Sequence, residues 1–186
     1  MNLIDRAKNI LLTPKTEWPV IAGESATLSG IFTSYALPLI IVSSIGSLLS
    51  GVLFTGALGF GITYAIKAAL ITFIAATVSF FVSVYVVDWL APQFNSEKDL
   101  NKSAQLVAYA NTPSYLAGAL TFIPVLNILI QFAGAVYAIY LIYLGLGPIK
   151  KTPEDKKVVY LIVTFVVLIG LSMLIGAILT SVLLFV

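Results

Sequence analysis

The chain has 186 residues, 60% of them hydrophobic and 10% charged, with a mean hydropathy of +1.05. A soluble domain carries about 25% charged residues, so the composition excludes a globular protein and places the chain in a membrane. It has no cysteine and no histidine, hence no disulfide, thiolate nucleophile or imidazole ligand, and its net charge of +2 is too small to point to nucleic acid.

Residues 3–12, LIDRAKNILL, read as a short amphipathic helix with Leu3, Ile4, Ala7, Ile10 and Leu11 on one arc and Asp5, Arg6, Lys8 and Asn9 outside it. Thr13-Pro14 reads as an N-cap followed by proline at the first helical position. In Trp18-Pro19 the proline pushes Trp18 away from α geometry. With Trp18 as an amphipathic ring, residues 1–28 are placed as a cytoplasmic interfacial segment in the headgroup region. The first long apolar run begins near Gly30, behind this charged and proline-broken stretch, and reads as an uncleaved first span.

Five stretches have the roughly 20 apolar residues that a span needs: about 30–54, 64–90, 103–123, 125–146 and 158–186. They form one all-α membrane domain over 1–186. Pro38 sits in the first, and glycines 56, 59 and 61 predict a turn after it. Lys67 and Asp88 lie near opposite ends of the second, about 30 Å apart on one helix, and are expected to snorkel to water rather than enter a buried ion pair. Pro124 predicts a tight reversal before the fourth span, and Gly145, Gly147 and Pro148 predict its end. Small residues recur at four-residue spacing in three rows (43/47/51, 110/114/118 and 172/176/180), which favours dense packing between helices over dedicated dimer faces.

Charge sets the orientation. Nine of the ten basic residues fall in the N-terminal segment (Arg6, Lys8, Lys15), the 91–102 loop (Lys98, Lys102) and the 149–157 loop (Lys150, Lys151, Lys156, Lys157). Excess Lys and Arg stays cytoplasmic, so the N-terminus is predicted inside and the C-terminus outside.

The familiar catalytic and nucleotide-binding motifs are missing, and Glu154 and Asp155, flanked by lysines, read as a solvated loop rather than an acid–base pair. A non-enzymatic protein without metal or cofactor is therefore expected. What remains is a neutral polar set inside the membrane: Tyr109, Asn111, Thr112, Pro113 and Tyr115, with Ser114, Asn127 and Gln131. Pro113 removes a backbone donor, so the carbonyl of Tyr109 loses its helix bond. That carbonyl and the Asn111 amide either bond to neighbouring helices or face a cavity. The first alternative is a kinked, hydrogen-bonded helix; the second is a site for a small molecule, lipid or ion in a transporter or channel. Tyr35-Ala-Leu-Pro38 faintly echoes Tyr109 to Pro113.

Three stretches, AKNILLTPKTEWPVIAGES at 7–25, VAYANTPSYLAGALTFIPVLN at 107–127 and YLIYLGLGPIKKTPEDKKVVY at 140–160, together resemble the Yip1-domain family, in its short bacterial inner-membrane branch once classed as a domain of unknown function. Trp18, Tyr109, Pro113, Gly145, Pro153, Glu154, Asp155 and Lys156 match its pattern. The resemblance implies five transmembrane helices with a cytoplasmic N-terminus. It also implies kinship with membrane-trafficking factors that associate with Rab-type GTPases and with one another. Those eukaryotic members carry a longer N-terminal region, whereas about 28 residues precede the first span here, so GTPase binding is not expected to carry over. The functional expectation is a scaffold or adaptor in the bacterial inner membrane, contacting lipids, other membrane proteins or a second copy of itself. Its working surface is expected at the cytoplasmic face, where Trp18 meets Lys150, Lys151, Glu154, Asp155, Lys156 and Lys157; alternatively these lysines are topological signals alone.

Overall fold

A computed structural model describes residues 2–55 and 61–184, with side chains for 2–54, 62–174 and 177; the described residues contain helices and turns and no strand. In chain order the helices are α1 (Leu3–Leu12), α2 (Pro14–Gly23), α3 (Leu28–Ile31), α4 (Leu37–Ser50), α5 (Gly61–Leu90), α6 (Leu100–Ala110), α7 (Thr112–Ala119), α8 (Asn127–Lys150) and α9 (Glu154–Leu184). Glycines 56 and 59 of the expected turn, and Gly176 and Thr180 of the third small-residue row as side chains, lie outside the described residues. Among the described residues, four stretches are long and apolar enough to cross a bilayer: Leu28–Phe54, Ile62–Phe94, Asn127–Lys150 and Glu154–Leu174.

Local chemistry explains the interruptions. Pro38 has no N–H, and its ring crowds the carbonyl of residue 34. A π-helical turn, Phe32–Ala36, absorbs this, with the Leu37 N–H bonding to the Phe32 carbonyl. The α6 N-terminus is capped by Asp99, whose Oδ1 accepts from the N–H groups of Asn101 at 2.8 Å and Lys102 at 3.1 Å. Pro19 sits inside α2, so Trp18 keeps α geometry against expectation, and Pro148 sits inside α8 rather than ending it. The α8 helix stops instead at Lys151, in the left-handed region at φ 51°.

The expected third span is two helices, α6 and α7, hinged at Asn111 and ending at Ala119, four residues short of prediction. Its register against α3–α4 is continuous. Leu28 N–H bonds to Asn101 Oδ1, Tyr35 to Thr112, Gly118 faces Ser43, and Gly46 faces Ala119. The two therefore run parallel along about 27 Å. Antiparallel to them, α8 places Lys150 at Ser103, Gly145 at Leu106, Gly134 at Pro113 and Gln131 at Ala117. The broken pair is thus the axis of the bundle. Two glycines make its contact with α4 possible: a Cβ on Gly118 would lie 2.0 Å from Ser43 Oγ, and one on Gly46 would lie 2.5 Å from the carbonyl oxygens of Gly118 and Ala119. The first two small-residue rows therefore contribute to packing within the chain, through Ser43, Ser47 (bonded to Thr72 at 3.0 Å), Gly51 against Ala65, and Gly118.

The N-terminal segment is corrected most. The α1 helix turns back at Thr13 into α2, and the pair packs into the bundle. Pro14, Glu17, Trp18 and Ile21 form the buried stripe of α2 at helical spacing. Trp18 is 0% exposed, its ring lying where a Cβ on Gly145 would meet it at 3.0 Å. It is therefore enclosed by the protein rather than presented to headgroups as an interfacial ring. On α1 the buried face is Arg6, Ala7 and Ile10, while Ile4, assigned to the inner arc, is 74% exposed. Arg6 displaces it because Glu17 and Glu24 wait on the inner side. The tip of the hairpin reaches Tyr137, whose hydroxyl donates to the Leu11 carbonyl at 2.6 Å. Tyr137 lies about 20 Å along α8 from its Lys150 end.

Candidate functional site around the broken helix and its lysine-rich end

The break itself is repaired locally. With no N–H at residue 113, the Tyr109 carbonyl accepts instead from the Thr112 hydroxyl at 2.7 Å. That uses the only Thr112 hydroxyl proton, so Tyr35, 2.7 Å away, is the donor in the Tyr35–Thr112 bond. Asn111 Nδ2 donates to the Val107 carbonyl at 2.9 Å, and Gln131 Nε2 reaches the Ala117 carbonyl at 2.9 Å across the α7–α8 contact. Thr112 and Pro113 are buried and Tyr115 is 9% exposed. Asn127 stands apart at the start of α8, with a buried Oδ1 lacking a partner among the described residues. The structure therefore brings together Tyr109, Asn111, Thr112, Pro113 and Tyr115, adds Gln131 through α8, and leaves Asn127 outside. The two echoing tyrosines do meet: the rings of Tyr35 and Tyr109 pack edge to face, 4.7 Å between centroids.

From Tyr109 the network continues into charge. Arg6 lies over the Tyr109 ring, 5.3 Å from its centroid, and its two terminal nitrogens bond to Glu17 and Glu24. Arg6 is 4% exposed and Glu17 6%. A polar cleft of about 490 Å³ opens beside this group, lined by Arg6, Glu24, Ser34, Tyr35 and Tyr109 among others. Lys102 Nζ ties α6 to the end of α2, donating to the carbonyls of Ala22 at 2.7 Å and Glu24 at 3.0 Å. Sequence reasoning missed Arg6, Glu17 and Glu24 because it placed residues 1–28 in the headgroup region rather than inside the bundle. The 14/17/18/21 spacing, with a carboxylate in an otherwise apolar stripe, was the available signal.

A second buried centre joins α5, α6 and α8. Lys150, fully buried, donates to Asp88 Oδ1 at 3.2 Å, Ser103 Oγ at 2.7 Å and the Asp99 carbonyl at 3.2 Å, which places all three of its protons. Asp88 is thus ion-paired rather than snorkelling, and Lys150 is not a surface residue; both expectations are corrected. Around them Glu97 N–H bonds to the Lys150 carbonyl at 2.7 Å, Ser96 to Thr152 at 2.9 Å, and Tyr160 to the Val87 carbonyl. Lys157 is also buried, paired with Glu154 at 2.5 Å and 5.9 Å from the Tyr143 ring centroid. Lys151, Glu154 and Asp155 are exposed and Lys156 partly so, with Lys151 pairing with Glu97 at 2.8 Å. The 91–102 and 149–157 segments therefore converge on one end of the bundle, where Lys102 also holds the open end of the hairpin at Ala22 and Glu24, while Lys15 lies at the hairpin tip beside Tyr137 and Tyr140. The N-terminal hairpin and the 149–157 loop meet there through the 91–102 segment and α8 rather than directly.

No curated protein and no solved structure gives a significant match to the chain. The Yip1 domain family model matches residues 8–183. That range runs from within α1 to within α9 and takes in α2, the broken helix and the Asp88–Lys150 centre, so this chain belongs to the Yip1-domain family, as a multi-pass, all-helical membrane protein.

Proposed function

We propose that the protein is a non-enzymatic membrane scaffold or adaptor, binding other membrane proteins or organising lipid in the manner of Yip1-type trafficking factors. The observation that carries the reading is where polar and apolar groups are spent. The polar groups at the helix break bond to one another, while α4, α5, α8 and α9 keep large apolar side chains exposed along their length. The surface available to partners is the outside of the bundle rather than a polar path through it. In this reading α6 and α7 together form a fifth crossing, because they match α3–α4 in register along about 27 Å. Five crossings with the lysine-rich end inside put the N-terminus in the cytoplasm of a bacterium and the C-terminus outside its inner membrane.

A transporter or channel is the other reading, and the cleft beside Tyr109 is the feature in its favour. The two part on accessibility. The chain has no cysteine, so Asn111→Cys gives a single thiol at the break. The scaffold reading expects this thiol to resist membrane-impermeant maleimides from both faces of a vesicle, and labelling from one face would favour the transporter. Photocrosslinkers at the exposed positions Ile45 and Ile169 are expected to capture defined partners or a second copy in cells. A chain that stays strictly monomeric in bilayers and captures nothing overturns the protein-binding version. Reporter fusions after residues 96 and 153 are expected to report cytoplasm and a C-terminal fusion the outside; a cytoplasmic C-terminus overturns the five-crossing topology.

A further inference from the structure

The outer face of α1 carries a feature that the scaffold reading does not use. Beside it runs an apolar groove of about 410 Å³ with Leu11 and Leu12 on one wall and Leu39 and Leu116 from α4 and α7 on the other. Among the described residues its one charged lining residue is Lys8. Leu12, which is 69% exposed, also lines a second groove of about 480 Å³, together with Lys15, Thr16, Tyr137 and Tyr140 among others. Lys8 and Lys15 are exposed and neither forms an ion pair among the described residues. Asp5 is the only acid on α1, and it is not within ion-pair distance of Lys8. The nearest acid on α2, Glu17, is spent on Arg6.

The donors at this rim can be counted. Thr13 and Thr16 give their hydroxyl protons to the carbonyls of Asn9 at 3.1 Å and Thr13 at 3.0 Å. Tyr137 gives its own to Leu11. That leaves two ammonium groups and the Tyr140 hydroxyl, which makes no hydrogen bond among the described residues. The combination is an apolar slot for a hydrocarbon chain, opening beside two unpaired cations and one free hydroxyl donor. The observation is independent of partner capture, since it needs only that the chain lies in a bilayer.

We propose that this junction binds one anionic glycerophospholipid, with an acyl chain in the Leu39–Leu116 groove and its phosphate held by Lys8 and Lys15, with Tyr140 donating a hydrogen bond. A lysine close to an anionic headgroup strengthens attachment by about fivefold. Lys8→Gln and Lys15→Gln should each cost that factor, and together about 25-fold.

The test is native mass spectrometry of the full chain in detergent, titrated with phosphatidylglycerol or with phosphatidylcholine of the same acyl chains. The expected result is one phosphatidylglycerol adduct saturating well before phosphatidylcholine, lost in Lys8→Gln/Lys15→Gln and weakened by Tyr140→Phe. Lys98→Gln should leave it unchanged, since Lys98 is another exposed, unpaired lysine outside both grooves. Leu116→Trp, which fills the slot but keeps both lysines, should weaken the adduct as well. All five positions lie at or near the surface, and an unchanged melting temperature checks that each variant folds. Equal binding of the two lipids, equal loss in Lys98→Gln, or undiminished binding in Leu116→Trp overturns the proposal. So does binding of water-soluble glycerol phosphate as strong as that of the lipid, or occupation of the groove by a second copy of the chain.

Discussion

The helix break at Asn111 and the buried lysine at 150 set polar groups among apolar helices in two different ways. At the break the backbone is repaired from close by, Thr112 reaching back three residues to Tyr109 and Asn111 four to Val107, and the neutral bonds of Tyr35 and Gln131 are added from other helices. At the lysine-rich end the partners come from afar, Asp88 to Lys150 across 62 residues and Arg6 to Glu24 across 18. The first arrangement shapes one helix. The second fastens separate helices to one another, and a charge that loses its partner there is left in a medium that cannot solvate it.

This difference predicts unequal losses. Lys150→Met should destabilise the protein by about 3–5 kcal/mol, because Asp88 remains buried without a cation. Adding Asp88→Leu removes the orphan and should restore most of the loss. Unfolding of the purified chain in mixed micelles measures both, and a single-variant loss no larger than the double would break the comparison. Arg6→Gln belongs with it, since it leaves Glu17 unpaired inside the hairpin.

Thr112→Val comes next. It keeps the shape but removes the donor to the Tyr109 carbonyl and the acceptor for Tyr35, and leaving such groups unmade costs about 1–3 kcal/mol. Thr112→Ser keeps the hydroxyl and should recover most of it. Gln131→Leu should cost less, about 0.6 kcal/mol, the typical worth of one hydrogen bond between membrane helices. If Gln131→Leu proves as damaging as Thr112→Val, the break is held from outside rather than repaired from within.

The same contrast explains what was legible in the sequence. Signals that act over a few residues could be read: hydropathy over Leu28–Phe54 and Ile62–Phe94, the break at Pro113, and the helix start at Pro14. The lone carbonyl at Tyr109 was predictable because proline's missing donor is a local fact. Its partner was not, since a threonine beside a proline reads as packing until its rotamer is known. Asp88 and Lys150 each looked like ordinary span ends with water close by. Only the fold brings the 91–102 segment over α8 and shuts that water out. Trp18 was misplaced for a related reason: an indole at a membrane boundary suits an interface, and nothing local reveals that Gly145, 127 positions later, leaves a space for it. Pro148 misled in the opposite direction, because α8 tolerates it where α2 and α6 already surround the helix.

The smallest effect belongs to the residue next to the largest. Lys151 follows Lys150 in sequence, carries the same charge and serves the same inside bias, yet its left-handed backbone turns it out to solvent, where it pairs with Glu97 at 2.8 Å. The hydrogen bond and charge of Glu97 raise its pKa above the usual lysine value. A raised cation pKa contributes stability that is fully present below the unfolded-state value and is lost as pH rises through the folded one. Here the contribution is screened by water and salt, and an exposed pair of this kind often adds nothing measurable. Lys151→Gln should therefore leave the unfolding transition where it is between neutral pH and pH 9, at low and at high salt. Lys150→Gln removes the same charge from the same loop and should shift the transition strongly under all of those conditions. Both variants should insert with unchanged topology, because eight of the nine basic residues on the predicted inner side remain. A large, salt-sensitive loss in Lys151→Gln would show that the exposed ion pairs share in fastening this end, and would erase the distinction between the two lysines.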